Sequence, residues 1–131
     1  MALRNDFISL KQNYDALLIT GNDHLTRLID FARTEFNMEI TKSPSENFIE
    51  FDLFHTSIEI RIQIPPRGIK NMNGKLVTYI NKGEEVTNLT LSFDLNEDIS
   101  LPDDHLLLRT FSRFYFTKLL DIIVQEETIQ F

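Results

Sequence analysis

Apolar residues at the start of the chain recur at helical spacing. They form one stripe through Leu3, Phe7, Leu10, Tyr14 and Leu17, and a second through Leu25, Ile29, Ala32 and Phe36. Intervals of three and four residues place side chains on one face of an α-helix. Between the stripes, Gly21 is typical of a helix C-terminus, and Thr20 with Asp23 resembles a capping box. We therefore predict two helices, over about 3–19 and 23–38. The alternative is a single helix of about 35 residues, because at 3.6 residues per turn the stripe stays in phase through Gly21.

The pattern changes to period two after Ser43-Pro44-Ser45. Apolar and polar residues then alternate along two runs, at Ile49, Phe51 and Leu53 and at Ile58, Ile60, Ile62 and Ile64. Such alternation predicts half-buried antiparallel strands. The apolar positions change from odd to even numbers between the runs, so a turn or bulge must lie within residues 54–57. Two more strands are predicted at about 75–82 and 89–95, which gives a four-stranded antiparallel meander.

A long helix is predicted at the end of the chain. Ser100-Leu101-Pro102-Asp103-Asp104 has the features of a helix start, and the helix should run to about residue 126. Its apolar residues cover most of its circumference, so it must be sandwiched between the sheet and the N-terminal helices or form a homodimer interface. Phe114 and Phe116 are the candidate interface residues. The elements together predict one α+β domain over residues 1–131, with helices packed on one face of the sheet.

Composition limits the class of protein. A length of 131 residues, 42% of them apolar and 25% charged, suits one soluble globular domain. The absence of cysteine excludes disulfides, a thiolate nucleophile and cysteine-ligated metals. No apolar run approaches the ~20 residues that cross a bilayer, and the first residues lack the apolar core of a signal peptide. We therefore expect a cytoplasmic protein without a membrane partner.

Charge is distributed unevenly along the chain. The net charge is −7, yet residues 61–83 contain five basic residues and no acid, and residues 84–104 contain seven acids and no base. The overall charge repels nucleic-acid backbones, so we do not expect a nucleic acid as the partner. The basic block is either a binding loop or a segment that its acidic neighbours neutralise in the folded protein.

Two histidine motifs suggest one catalytic alternative. His24-Leu25-Thr26 and His55-Thr56-Ser57 each place a hydroxyl two residues after a histidine. The pair resembles the motifs of the two-histidine phosphoesterases, and that resemblance implies general acid–base chemistry by His24 and His55. Both imidazoles would then face one cleft, about 6–8 Å apart.

The context of these histidines does not favour catalysis. His24 falls at a predicted helix start and His55 in a tight turn, so we expect a protein that is not an enzyme. The third histidine, His105, forms no recognised metal-ligand spacing with them, and we expect neither a metal nor a cofactor.

The connection Pro65–Gly74 is the strongest candidate for a binding site. Its basic and apolar residues are Arg67, Ile69, Lys70 and Met72, with Lys75 at its exit. Cations beside apolar side chains are a reasonable composition for a protein-binding tip, and loops of this length in compact domains tend to be either functional or disordered. The leading hypothesis is a non-catalytic protein-binding module, acting as an inhibitor, an immunity-type protein, a chaperone or an adaptor. The alternatives are the phosphoesterase and a structural subunit of a larger assembly.

Overall fold

The chain folds into a mixed helix-and-sheet structure. The computed structural model describes residues 2–40, 46–81, 83–96, 98–101 and 111–129. The helices in these ranges are α1 (Ala2–Phe36), α2 (Pro66–Asn71) and α3 (Phe111–Ile129). The strands are β1 (Phe48–Leu53), β2 (Thr56–Gln63), β3 (Asn73–Ile80), β4 (Glu84–Glu85), β5 (Leu91–Asp94) and β6 (Ile99–Ser100), with a 3₁₀ turn at Thr87–Leu89. The α+β class predicted from the sequence is confirmed.

The prediction of two N-terminal helices is wrong, because α1 continues without a break. Gly21 lies inside the helix, where a Cβ would meet Ile62 Cδ1 at 3.0 Å and Phe93 Cζ at 3.1 Å. Its lack of a side chain thus allows the helix to approach the sheet closely. The supposed cap residue Thr20 donates its hydroxyl to the Ala16 carbonyl at 3.0 Å, a bond within the helix.

Helix α1 ends at Phe36, where an asparagine follows the last helical residue. Asn37 adopts a left-handed conformation, with φ of 53°, and the Met38 N–H donates to the Ala32 carbonyl at 3.3 Å. Asparagine tolerates this conformation better than most residues, so it can replace the usual glycine after a helix.

The sheet is antiparallel, but within the described ranges it has six strands rather than the predicted four. Its order is β1-β2-β3-β5-β6, and the short β4 pairs with the end of β3. A two-residue turn at Phe54–His55 joins β1 to β2, and both of its residues have positive φ, which fits the twist of a tight hairpin. This turn explains the change from odd to even apolar positions and confirms its predicted place within residues 54–57.

Both long helices pack on one face of the sheet. The Tyr115 hydroxyl of α3 hydrogen-bonds Thr78 Oγ1 of β3 at 2.6 Å, and both side chains are fully buried. Phe116 lies in the core with 1% exposure, within 6.2 Å of Phe51 of β1 between ring centroids. Packing within one chain, which is the intramolecular alternative for this helix, therefore buries Phe116, so this side chain is not available at the surface.

The predicted start of the C-terminal helix is wrong in one respect. Ser100, the expected cap, belongs to β6 and pairs with Ser92 of β5. The remaining start signals, residues 102–104, lie outside the described residues. Among the described helices, none is long and apolar enough to cross a membrane.

Candidate binding surface

Helix α1 is much longer than the sheet that it covers. Its 35 residues span about 52 Å at ~1.5 Å per residue. The eight residues of β2 or β3 span about 26 Å at ~3.3 Å per residue. Roughly half of α1 therefore extends beyond the sheet. The exposure of the helix agrees with this, since every residue from Leu3 to Gln12 is exposed.

The apolar stripe of α1 continues onto this uncovered half. Exposure falls steadily toward the sheet, from 84% at Leu3 to 66% at Phe7, 41% at Leu10, 40% at Tyr14 and 0% at Leu17. The four exposed residues Leu3, Phe7, Leu10 and Tyr14 are called the projecting stripe below. They lie on the same helix face as the core residues Leu25 and Leu28. The projecting stripe is therefore a core-type surface with nothing among the described residues covering it.

The predicted binding loop is a short helix that lies beside the projecting half of α1. The connection folds as α2, which begins at Pro66 and ends at Asn71, and Met72 follows it with a left-handed φ of 61°. The Asn13 side-chain amide of α1 donates to the Ile69 carbonyl at 3.2 Å. Gly68 is buried where a Cβ would lie 2.3 Å from the Asn73 carbonyl oxygen, so this turn requires glycine. These contacts fix α2 next to the inner end of the projecting stripe.

The structure brings four of the five predicted binding residues together. Arg67 and Lys70 are exposed on α2, Met72 follows them with 44% exposure, and Ile69 is half-buried. Lys75 is separate, because it lies on β3 opposite Gln63 and Ser92, on the sheet face away from the helices. Arg67 and Lys70 therefore lie on one helix, and Lys75 belongs to a different surface.

The two candidate interface residues of α3 also separate. Phe114 is 48% exposed, whereas Phe116 is packed against Phe31, Phe36 and Tyr115 with ring centroids 5.4–5.6 Å away. Only Phe114 is available to a partner in this structure.

The basic block is not neutralised at α2. Among the described residues, Arg67, Lys70 and Lys75 take part in no ion pair, although Arg61 pairs with Glu59 at 3.0 Å. The hydrogen bond with Glu59 raises the pKa of the Arg61 guanidinium, against a smaller opposing effect of burial. The Arg61 guanidinium also lies 4.6 Å from the centre of the Phe48 ring. Arg61 thus makes its contacts with two residues of the sheet, Glu59 and Phe48. The α2 cations Arg67 and Lys70 are exposed and have no ion-pair partner among the described residues.

The histidine pair does not share a cleft. His24 is fully buried in α1, with its ring 5.4 Å from those of Phe93 and Phe111. His55 is exposed in the β1–β2 turn. Since Phe93 is level with Gly74, near the opposite end of β2, the two histidines are separated by roughly 30 Å along the strand direction at ~3.3 Å per residue. The geometry that the phosphoesterase alternative demands is absent from this arrangement.

The outer face of the sheet carries a cluster of charged side chains. Glu50 lies directly opposite Glu59 in the register of β1 and β2, and Arg61 follows on the same face. With Tyr79 they border a shallow, polar depression on that face. Within the described parts of the chain, no group of three metal-ligating side chains comes together.

Comparison of the chain with protein-family models, curated proteins and solved structures finds no match.

Sequence reasoning missed the projecting stripe as a functional feature, although it found the residues. The pattern identified a helix face formed by Leu3, Phe7, Leu10 and Tyr14. The natural interpretation of such a face is that it is buried in the core. The available signal was the mismatch in length between a helix of about 35 residues and strands of about eight residues, which indicates that such a helix extends beyond the sheet when it runs along the strands.

Proposed function

We propose that the protein is a non-catalytic protein-binding module whose contact surface is the projecting stripe together with α2. The supporting observation is the continuous apolar face that leaves the core and remains exposed from Tyr14 to Leu3. Contiguous exposed apolar patches on folded proteins usually mark interaction sites. Scattered single residues would not support the same proposal, because these are common on any surface.

The spacing of the projecting stripe suits one mode of recognition. Leu3, Phe7, Leu10 and Tyr14 are separated by four, three and four residues. Helices that dock into apolar grooves or against partner helices use anchors at this spacing. A small protein that binds in this way can inhibit, protect or bridge its partner, which are the inhibitor, immunity-type, chaperone and adaptor roles.

A matched pair of variants tests this proposal. Phe7→Asp places a charge in the projecting stripe, whereas Ile8→Asp places the same charge on the neighbouring residue, which is 44% exposed and points away from the stripe. We expect immobilised wild-type protein and Ile8→Asp to capture the same partner from lysate of the source organism, and Phe7→Asp to lose it. Equal capture by Phe7→Asp would refute the proposed surface.

A second candidate function is a structural subunit that assembles through α3. Its specific support is Phe114, a large aromatic residue left 48% exposed between the buried Phe111 and Tyr115. We expect Phe114→Asp to convert an assembled wild-type protein into a monomer, measured by light scattering. A wild-type protein that is monomeric at high micromolar concentration would remove this candidate.

A further inference from the structure

We infer that the projecting stripe receives an amphipathic helix with acidic flanks, carried by a partner protein. This inference rests on the proposed function and names the chemistry of the partner. The charges that border the stripe support an acidic helix as the occupant, and they disfavour a second copy of the chain and an anionic membrane.

Cations lie along one border of the stripe. Arg4 and Lys11 follow Leu3 and Leu10 by one residue each and are seven residues apart, so they lie on the same side of α1. Lys11 pairs with Asp15 at 3.3 Å, and both side chains are more than half exposed. An exposed pair of this kind contributes little and can exchange for a contact with a partner.

Helix α2 adds cations on the other side. Asn13, which binds α2 through the Ile69 carbonyl, precedes Tyr14 and so lies on the border opposite Lys11. Arg67 and Lys70 are exposed there, and the acid on that border is Asp6. Four cations thus face two carboxylates around the stripe, Asp6 and Asp15, in a chain whose net charge is −7. Asp94 and Asp98 line a depression with Pro65 and Asn73 beyond the ends of α2, so the excess of positive charge belongs to the borders of the stripe and not to the whole end of the molecule.

A second copy of the chain fits this surface poorly. An antiparallel pair of α1 helices would place the border of Arg4 and Lys11 against the same border of the other copy, where two cations of each copy meet and each copy supplies one carboxylate, Asp15. A parallel pair would avoid this, but beyond Leu17 the stripe is already covered by the sheet. The two sheets would then compete for the space between the helices.

An acidic helix fits better than an anionic membrane. A helix meets only the projecting stripe and its cationic borders, where charge complementarity favours it. A flat anionic surface is in addition repelled at long range by the net charge of −7 that the whole chain carries. The charge pattern therefore selects a narrow partner.

Two designed peptides test the inference on the full-length protein. Both form amphipathic helices with the same leucine face, one with glutamate and the other with lysine along its flanks. We expect the glutamate-flanked peptide to bind at least tenfold more tightly in fluorescence anisotropy at physiological salt, and we expect this preference to shrink at high salt because exposed charges are screened. Phe7→Ser should reduce the binding of the glutamate-flanked peptide tenfold or more, and Ile8→Ser less than twofold; the serine variants leave the charge beside Arg4 and Lys11 unchanged.

Charge-reversal variants separate the α2 cations from the general charge of the protein. Arg67→Glu with Lys70→Glu should reduce the preference for the glutamate-flanked peptide to threefold or less. Lys75→Glu on the outer sheet face together with Arg113→Glu on α3 makes the same change of four charge units away from α2, and it should leave the preference within twofold of wild type.

Each other outcome overturns the inference. Equal affinity for the two peptides would show that charge does not select the partner. A doubling of mass that Phe7→Asp abolishes would show that a second copy occupies the stripe. Binding to phosphatidylserine vesicles that exceeds binding to the glutamate-flanked peptide, and is lost in Phe7→Asp, would show a membrane surface. If capture from lysate still requires Phe7 in any of these cases, the proposed function survives and only the named partner is wrong.

Discussion

The two halves of α1 share one apolar stripe but differ in what covers it. From Leu17 to Ala32 the stripe is buried against the sheet, and Gly21 allows the closest approach. From Leu3 to Tyr14 the same face is 40–84% exposed. The periodicity is continuous, so the difference arises from the sheet, which ends halfway along the helix.

This contrast shows that an apolar helix face need not belong to the core of its own domain. The covered half gains stability from burial at ~25 cal/mol per Å² of apolar surface. The projecting half gains little from burial. It remains helical mainly because the half that packs on the sheet has already nucleated the helix. The predictions below test this contrast, beginning with the largest expected effect.

The largest effect is expected on α3, where covered and uncovered phenylalanines are two residues apart. Phe116→Ala should reduce the free energy of unfolding by about 3–5 kcal/mol, because it leaves a cavity among packed rings. Phe114→Ala, at a position 48% exposed, should cost less than about 1 kcal/mol. Urea denaturation of both variants measures the difference, and similar losses would contradict the assignment of Phe116 to the core.

The same comparison can be made within α1. Leu25→Ala, at a fully buried position, should cost about 2–5 kcal/mol of unfolding free energy. Leu3→Ala, at a position 84% exposed, should change it by less than about 0.5 kcal/mol. A large loss in Leu3→Ala would mean that the projecting stripe is covered in solution.

The covered region also contains a buried hydrogen bond, between Tyr115 of α3 and Thr78 of β3. Tyr115→Phe leaves Thr78 Oγ1 without its phenolic partner and should cost about 1–3 kcal/mol. Thr78→Val removes the opposite partner, and the double variant should cost less than the sum of the two single variants. Strictly additive losses in urea denaturation would contradict the contribution of this bond.

The same tyrosine makes stability depend on pH. Burial raises the pKa of the Tyr115 phenol, and its hydrogen bond with Thr78 opposes this only in part. The folded state therefore favours the neutral phenol over the phenolate. The contribution of the neutral phenol to the free energy of unfolding is complete below about pH 10, the ordinary pKa of tyrosine, and is lost as the pH rises above that value. Between pH 10 and pH 11 the wild type should lose up to about 1.4 kcal/mol more than Tyr115→Phe. Parallel pH profiles of the two proteins would contradict this assignment.

The fold was largely predictable where apolar periodicity is decisive. The alternation from Ile49 to Ile64 predicted β1, β2 and the turn between them, because period two has one structural solution when one face is buried. The short strands β4 and β6 were missed, since two residues carry no periodicity. The break at Gly21 was wrong because glycine serves either for a turn or for close packing, and only tertiary contacts distinguish these uses.

The candidate site was predictable in composition but not in arrangement. Arg67 and Lys70 were identified from charge and loop length, and the structure leaves both exposed on α2. Their position beside the projecting stripe depends on the bond from Asn13 to the Ile69 carbonyl, which joins residues 56 positions apart. No local pattern contains such a contact.

The most direct test of the central claim is amide hydrogen exchange along α1, with and without the glutamate-flanked peptide. In the free protein, amides from Gly21 to Ala32 should exchange only on global unfolding, and those from Phe7 to Gln12 should exchange orders of magnitude faster. The peptide should slow exchange within Phe7–Gln12 and α2 and leave Gly21–Ala32 unchanged. Equal protection of both halves in the free protein, or peptide protection confined to other segments, would contradict the account.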